Sequence, residues 1–386
     1  MTRPDPTLGI YVHVPFCRSK CPYCDFYSVR ADDAEKAAYT AAVCDELETL
    51  RRTDGFIPPD LKERQVESVY FGGGTPSALA AEQLSEMLHA VRRHYRLSPD
   101  AEVTAEVNPG LRDADAFFSV LAAAGFNRAS VGMQSAVDAE RRRLGRTAGF
   151  ADVKRTVLAA KRSGIGNLSV DLMLGVPGQT QASLSESADA ALSLDITHLS
   201  AYILKLEPGT VFARRADTLG LPDEDAVCDM YLALCDRLER AGMRHYEISN
   251  FCFGGRVGRH NLRYWDGGDY LGIGPAAHSF TGGRRFYFPR SLDAFLQGAP
   301  PIDDGAGGDA EERLMLRLRL DEGLDLPAYY AEYGVRPTKG FEARCRELRA
   351  AGLLQPHETV LSLTPKGMLL SNTVITDLLI ALFPEK

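Results

Sequence analysis

The sequence is short of basic charge: Lys and Arg number 44 against 52 Asp and Glu, for a net charge of −8 over 386 residues. That balance argues against a protein that coats nucleic acid by charge alone, while allowing a local basic patch. No basic segment followed by a long apolar run stands at the start, so no secretory leader is read. The apolar run VITDLLIALF near the other end carries Asp377 and is too short to span a bilayer. A cytoplasmic protein is expected, with peripheral membrane contact left open. Without a secretory context, the eight cysteines do not suggest a disulfide framework. Cys44, Cys228, Cys235, Cys252 and Cys345 are scattered and read as core residues. Cys228 and Cys235 sit in one helix-like stretch and are expected to share a buried face.

What is present is an ordinary globular composition, with 45% hydrophobic and 25% charged residues, which excludes disordered and fibrous classes. Strand-like runs are expected at Leu8–Phe16, Gln65–Phe71, Ala101–Val107, Ala129–Gln134, Leu168–Leu174, His198–Leu204 and His245–Phe251. Helix-like stretches lie between most of them, at Asp33–Leu50, Ala80–Tyr95, Asp113–Ala124, Ala151–Ser163, Gln181–Leu194 and Asp223–Ala241. Such alternation argues for parallel βαβ units. Phe253–Pro301 reads as a connecting region with loops and Ile302–Asp309 as a Gly/Asp linker. From Glu311 the pattern changes to Leu-rich helices and a short hairpin around Val360–Leu363, resembling a winged-helix module. The expected divisions are 1–252, 253–309 and 310–386.

Cys17-Arg-Ser-Lys-Cys21-Pro-Tyr-Cys24 follows directly after the first expected strand. Three thiolates in a short loop can hold three corners of an iron–sulfur cubane and leave the fourth iron open, whereas a closed cluster or a structural zinc takes four ligands. A zinc site completed from a distance, by Cys44 or Cys252, is the alternative. Gly72-Gly73-Gly74-Thr75 ends the second strand, where glycine permits close backbone approach to a small polar ligand. Glu106 and Gln134 end later strands, Asp171 lies in the fifth, and Arg146 follows the fourth. In a βα barrel the reactive face is built from strand C-termini. Tyr11 and His13 alternate with Ile10, Val12 and Val14 and so share one face of the first strand, expected to be the barrel interior.

CxxxCxxC after the first strand of a βα repeat resembles the radical S-adenosylmethionine superfamily. There the open iron of a [4Fe–4S] cluster chelates the methionine amino and carboxylate groups, and an electron cleaves the cofactor to a 5′-deoxyadenosyl radical. The resemblance implies an α/β fold: an incomplete (β/α)6 barrel with a C-terminal winged-helix-like domain. It implies Cys17, Cys21 and Cys24 as cluster ligands. It implies Tyr11, Tyr23, Gly73, Gly74, Thr75, Glu106, Gln134, Arg146 and Asp171 as contacts of S-adenosylmethionine.

YVHVPFCRSKCPYCDF, VYFGGGTPS, SVGMQS, LGRTAG, DLMLGVPGQT and LGIGPAAHSF together resemble the coproporphyrinogen-oxidase-like branch, which holds both oxygen-independent coproporphyrinogen III oxidases and heme chaperones. The oxidases carry a further cysteine two residues after the triplet, where this sequence has Phe26, and a longer extension before the loop. His260-Asn261-Leu262-Arg263-Tyr264-Trp265 matches the HNxxYW motif associated with heme binding in the chaperones, and it includes the single tryptophan. An imidazole is a common axial heme ligand and flanking aromatics suit a porphyrin face. The resemblance therefore implies a heme chaperone, with His260 as heme ligand and His278 as second candidate, serving heme-acceptor apoproteins of, for example, the respiratory chain. It also implies a dimer. Radical decarboxylation of coproporphyrinogen III is the runner-up. Arg92–Arg93, Arg141–Arg143 and Arg284–Arg285 read as solvated surface. Phe341–Ala351 mixes Arg344, Arg346 and Arg349 with Glu342 and Glu347, a poor phosphate-tracking face, so no nucleic-acid partner is expected.

Overall fold

A computed structural model describes residues 7–53 and 55–384. Six strands, β1 (Leu8–Val14), β2 (Gln65–Gly73), β3 (Arg96–Val107), β4 (Arg128–Gln134), β5 (Asn167–Leu174) and β6 (His198–Ile203), run parallel and pair in sequence order. Helices Asp33–Thr49, Ala81–His94, Ala114–Ala124, Phe150–Arg162, Gln181–Leu192 and Glu224–Arg240 follow the six strands and cover the outer face. Their starts are legible locally. Asp32, Asp113, Thr180 and Asp223 each accept a hydrogen bond from a first-turn N–H. Ile10, Val12 and Val14 pack under the helices, while Tyr11 and His13 face the lumen, where the Tyr11 hydroxyl is hydrogen-bonded to His13 Nδ1 at 3.0 Å.

The sheet does not close. The expected strand His245–Phe251 is a hairpin, β7 (Arg244–Glu247) and β8 (Asn250–Cys252), and β8 runs antiparallel along β6. The region expected as loops is largely structured. Helix Arg259–Trp265 is followed by β9 (Tyr270–Ile273), which lies parallel to β1 on the side away from β2. Next come β10 (His278–Thr281), β11 (Arg284–Tyr287) and β12 (Ile302–Ala306), all antiparallel. The expected Gly/Asp linker is thus the edge strand of a twelve-stranded sheet. β1, the strand that carries the cysteine loop, is interior to that sheet.

A second core holds Leu314, Leu318, Phe341, Leu348, Val374 and Leu378. It is built from five helices and a two-stranded pairing of Leu324–Asp325 with Val360–Leu361. In helix Lys339–Ala350, Arg344 pairs with Glu347 and Asp377, and Arg349 donates to the His357 carbonyl. Among the described residues no helix is long and apolar enough to cross a membrane. Of the basic clusters, Arg141 is not surface: it is buried and donates to the Ser135 carbonyl at 2.7 Å. Cys235 is buried, while Cys228 on the same helix is half-buried.

Candidate functional site

The cysteine loop is a closed excursion from the end of β1. The Cys17 N–H donates to the Val29 carbonyl at 3.0 Å, and the Val29 N–H to the Pro15 carbonyl at 2.7 Å. Cys17, Cys21 and Cys24 are half-buried free thiols. Burial raises the Cys24 thiol, and the charges of Cys21 and Cys17 add to the rise, so the three sulfurs lie within electrostatic reach of one another. Among the described residues no three His, Cys, Asp or Glu side chains converge to hold a single metal ion. A cubane sets each thiolate on a different iron, so its ligands need not converge. Cys44 lies on helix Asp33–Thr49 and Cys252 in β8 at the far end of the sheet. Neither completes a zinc site with the triplet.

The glycines at and just beyond the end of β2 are first a packing requirement. Gly73 has φ +107°, and a Cβ there would lie 2.5 Å from the His13 ring. A Cβ on Gly74 would come within 2.9 Å of the Val14 carbonyl oxygen and 3.0 Å of Phe16 backbone atoms. Both would push the start of the cysteine loop off the strand. Thr75 then stands with its hydroxyl 3.3 Å from Cys17 Sγ. A polar chain continues from it: Asn108 donates to Thr75 Oγ1 at 2.9 Å, Arg146 donates to Asn108 Oδ1 at 2.6 Å, and Arg146 also donates to the Tyr23 hydroxyl at 3.0 Å. A cleft of about 380 Å³ is lined by Cys21, Thr75, Asn108, Gly132 and Arg146 among others. Arg146 Nε is buried without a partner. Asn108 carries no functional signal in the sequence, where Asn-Pro-Gly reads as a turn.

Of the remaining expected contacts, Tyr11, Glu106 and Asp171 lie deeper in the lumen, while the Gln134 amide sits beside Gly132 near Asn108 and Arg146. Glu106 accepts from the Tyr70 hydroxyl at 2.8 Å and Asp171 from Ser130 at 3.0 Å. Tyr11 stacks on Tyr70 with centroids 6.2 Å apart. Gln134 ends β4 in the left-handed region, φ +66°. The cleft lining takes in only Cys21, Thr75 and Arg146 of the expected residues. Burial pushes the Glu106 carboxyl up to about 7; the Tyr70 hydrogen bond opposes the rise and nearby Asp171 adds to it.

His260 does not present itself to iron. Its side chain is 1% exposed, at the floor of the lumen. Nδ1 is hydrogen-bonded to Ser68 Oγ and Nε2 to the Tyr264 hydroxyl, both at 2.9 Å. A neutral imidazole has one donor and one acceptor nitrogen, and both are taken. Desolvation lowers its pKa to about 3, so the ring stays neutral. The N–H groups of Arg259 and His260 each donate to the Glu102 carboxylate at 3.1 Å, capping the helix start from β3. Trp265 lies at the other end, under the Arg319 guanidinium at 5.5 Å. The HNxxYW helix thus plugs the barrel and faces the second core. His278 is exposed instead.

A profile of the radical SAM superfamily matches residues 11–191, and one of the HemN C-terminal domain matches residues 309–370. The heme chaperone HemW of Mycobacterium tuberculosis (strain ATCC 25618 / H37Rv) is 37% identical over 97% of this chain and 96% of that protein. The chain belongs to the HemW family. HemW of Escherichia coli (strain K12) is 34% identical over 96% of this chain and 97% of that protein. The coproporphyrinogen III oxidase HemN of Escherichia coli shares the fold, with TM-score 0.81 at 23% identity over 97% of this chain and 91% of that one.

Membership of the radical SAM superfamily implies a [4Fe–4S] cluster and S-adenosylmethionine, and the residues present fit both. Three thiols share one loop, and the cleft beside Cys21 is lined by Arg146, a guanidinium suited to a carboxylate. The cofactor's sulfonium and ammonium are cationic, so ionised Glu106 should favour it. Affinity for S-adenosylmethionine is expected to rise about tenfold between pH 6 and pH 8, as Glu106 ionises near its raised pKa. Calorimetric titration of the cluster-loaded protein checks this, and Glu106→Gln should flatten the profile. The same shift makes Glu106 a burden on folding that is absent below its unfolded pKa and fully present above about 7.

Proposed function

We propose that this protein is a heme chaperone, which binds heme beside a [4Fe–4S] cluster and S-adenosylmethionine and passes heme to acceptor apoproteins, those of the respiratory chain included. The observation that carries the reading is Phe26. It stands two residues beyond the cysteine triplet, 67% exposed, where the oxidases have a further cysteine. A phenyl ring there offers an apolar contact and no thiol chemistry. Full-length likeness to HemW proteins supports the same choice, whereas the likeness to HemN is one of fold. When bound, the cluster supplies an electron and an open iron for the cofactor. The chain's own part is to hold that cofactor through Arg146, Asn108 and Thr75 at the rim and Glu106 and Asp171 below it.

The test is anaerobic incubation with reductant, S-adenosylmethionine and coproporphyrinogen III, read by chromatography beside a heme-transfer assay. The expected outcome is heme transfer to an apocytochrome and no protoporphyrinogen IX. Decarboxylated product accumulating over many turnovers would overturn the chaperone reading.

A further inference from the structure

The geometry points to His278, on the barrel rim beside the cysteine loop, as the axial ligand of heme, with the Tyr287 ring, Phe26 and Arg290 completing the site. This rests on the heme-binding reading above and relocates its ligand from the HNxxYW motif.

The eight histidines sort by their nitrogens. His13, His198 and His260 have both ring nitrogens hydrogen-bonded inside the barrel. His245 is stacked on Phe251 at 4.2 Å, with Nε2 3.5 Å from the Tyr231 hydroxyl. His89 and His94 belong to outer helix Ala81–His94, and His357 to the C-terminal unit. His278 alone combines exposure, ring nitrogens without a hydrogen bond among the described residues, and a place near the cysteine loop.

That place follows from the sheet. β9 runs parallel to β1, so both end on the side where the loop begins, and β10 turns back from there at His278. The turn packs tightly: a Cβ on Gly274 would lie 2.6 Å from the His13 carbonyl oxygen. Ala276 holds φ +64°, a conformation that costs an L-residue about 1 kcal/mol, and its N–H donates to the Pro289 carbonyl at 3.1 Å. Strain of this kind persists where the surroundings impose a local geometry, and it gathers at ligand sites. Next along, Arg290 donates to the Asp25 carbonyl at 2.7 Å, which ties this rim segment to the loop that carries Phe26.

The chemistry matches a metalloporphyrin. Heme needs an axial donor, flat apolar contact and cations for its propionates. The His278 ring stacks on Tyr287 at 4.9 Å and an interplanar angle of 22°, which fixes its plane and leaves its nitrogens free. Arg290 is exposed and pairs through Nη1 with the Asp25 carboxylate at 3.8 Å, so a heme carboxylate reaching this rim would share that guanidinium.

Hemin is titrated into the full-length protein, cluster-loaded, for wild type, His278→Gly, His278→Met and His260→Gln. In His278→Gly the heme absorption and electron paramagnetic signals should depart from wild type. Heme loss to apomyoglobin should speed up about tenfold, equivalent to about 1.4 kcal/mol. Free imidazole should restore the spectrum, which a packing role could not explain, and His278→Met should give a distinct thioether-ligated spectrum. His260→Gln should keep the wild-type signals. A wild-type spectrum in both His278 variants, or a shift in His260→Gln alone, overturns the assignment and leaves heme binding standing. Failure of the wild type to take up hemin overturns the heme reading and this site with it.

Discussion

Cys17→Ser, Cys21→Ser and Cys24→Ser should each lower cluster content at least roughly tenfold after anaerobic reconstitution with iron and sulfide. A serine hydroxyl does not ionise near neutral pH, so it would be a poor replacement for a thiolate ligand to iron. The loss should be local. Loop closure depends on backbone bonds between Cys17 and Val29 and between Val29 and Pro15, which the substitution leaves intact. The controls lie in the same chain. Cys44 is half-buried on an outer helix, where burial pushes its thiol to about 11, and Cys345 is packed in the second core. Serine at either should leave iron and sulfide counts unchanged. A normal cluster in Cys17→Ser together with loss in Cys44→Ser would show the triplet assignment to be wrong.

His260→Ala should destabilise the fold by about 3–5 kcal/mol. The substitution empties a fully enclosed ring volume and strands two polar groups, Ser68 Oγ and the Tyr264 hydroxyl, away from water. It also takes away the ring on which Tyr70 stacks at 5.3 Å, and Tyr70 is the donor to Glu106. The measurement is a denaturant midpoint on purified protein without heme, beside His260→Gln, whose amide can both donate and accept and should recover part of the loss. A midpoint within about 0.5 kcal/mol of wild type would mean that the floor network contributes nothing net.

Much of this could be read from the chain. The parallel strands announced themselves because they are buried on both faces, as Ser68 on one face of β2 and Val69 and Phe71 on the other show. The cysteine spacing and its place after β1 pointed to a cluster loop, and the structure holds the three half-buried thiols in one closed excursion. Other features left weaker traces. The turn between β7 and β8 is Ile248-Ser249, without the glycine, proline or asparagine that usually marks one. β9, β10 and β11 have four residues each, too few for a pattern to stand out, and nothing local says that β9 pairs with β1. The HNxxYW motif was legible as a motif but not as a direction. Its first and fifth positions, His260 and Tyr264, are four apart and so share a helix face, which is the one signal that they bond each other and not an external group.

The pairing of β1 with β9 joins Ile10 to Leu271. During synthesis at about 5–20 residues per second, β1 leaves the ribosome many seconds before its second neighbour exists. Until then one edge of the strand is open, and the loop bearing Cys17 has no Gly274 turn against its base. Seating of the cysteine loop therefore waits for a strand that is made long after it. The socket is finished only once β9 has emerged, a timing set by long-range strand order and the slow closure it entails.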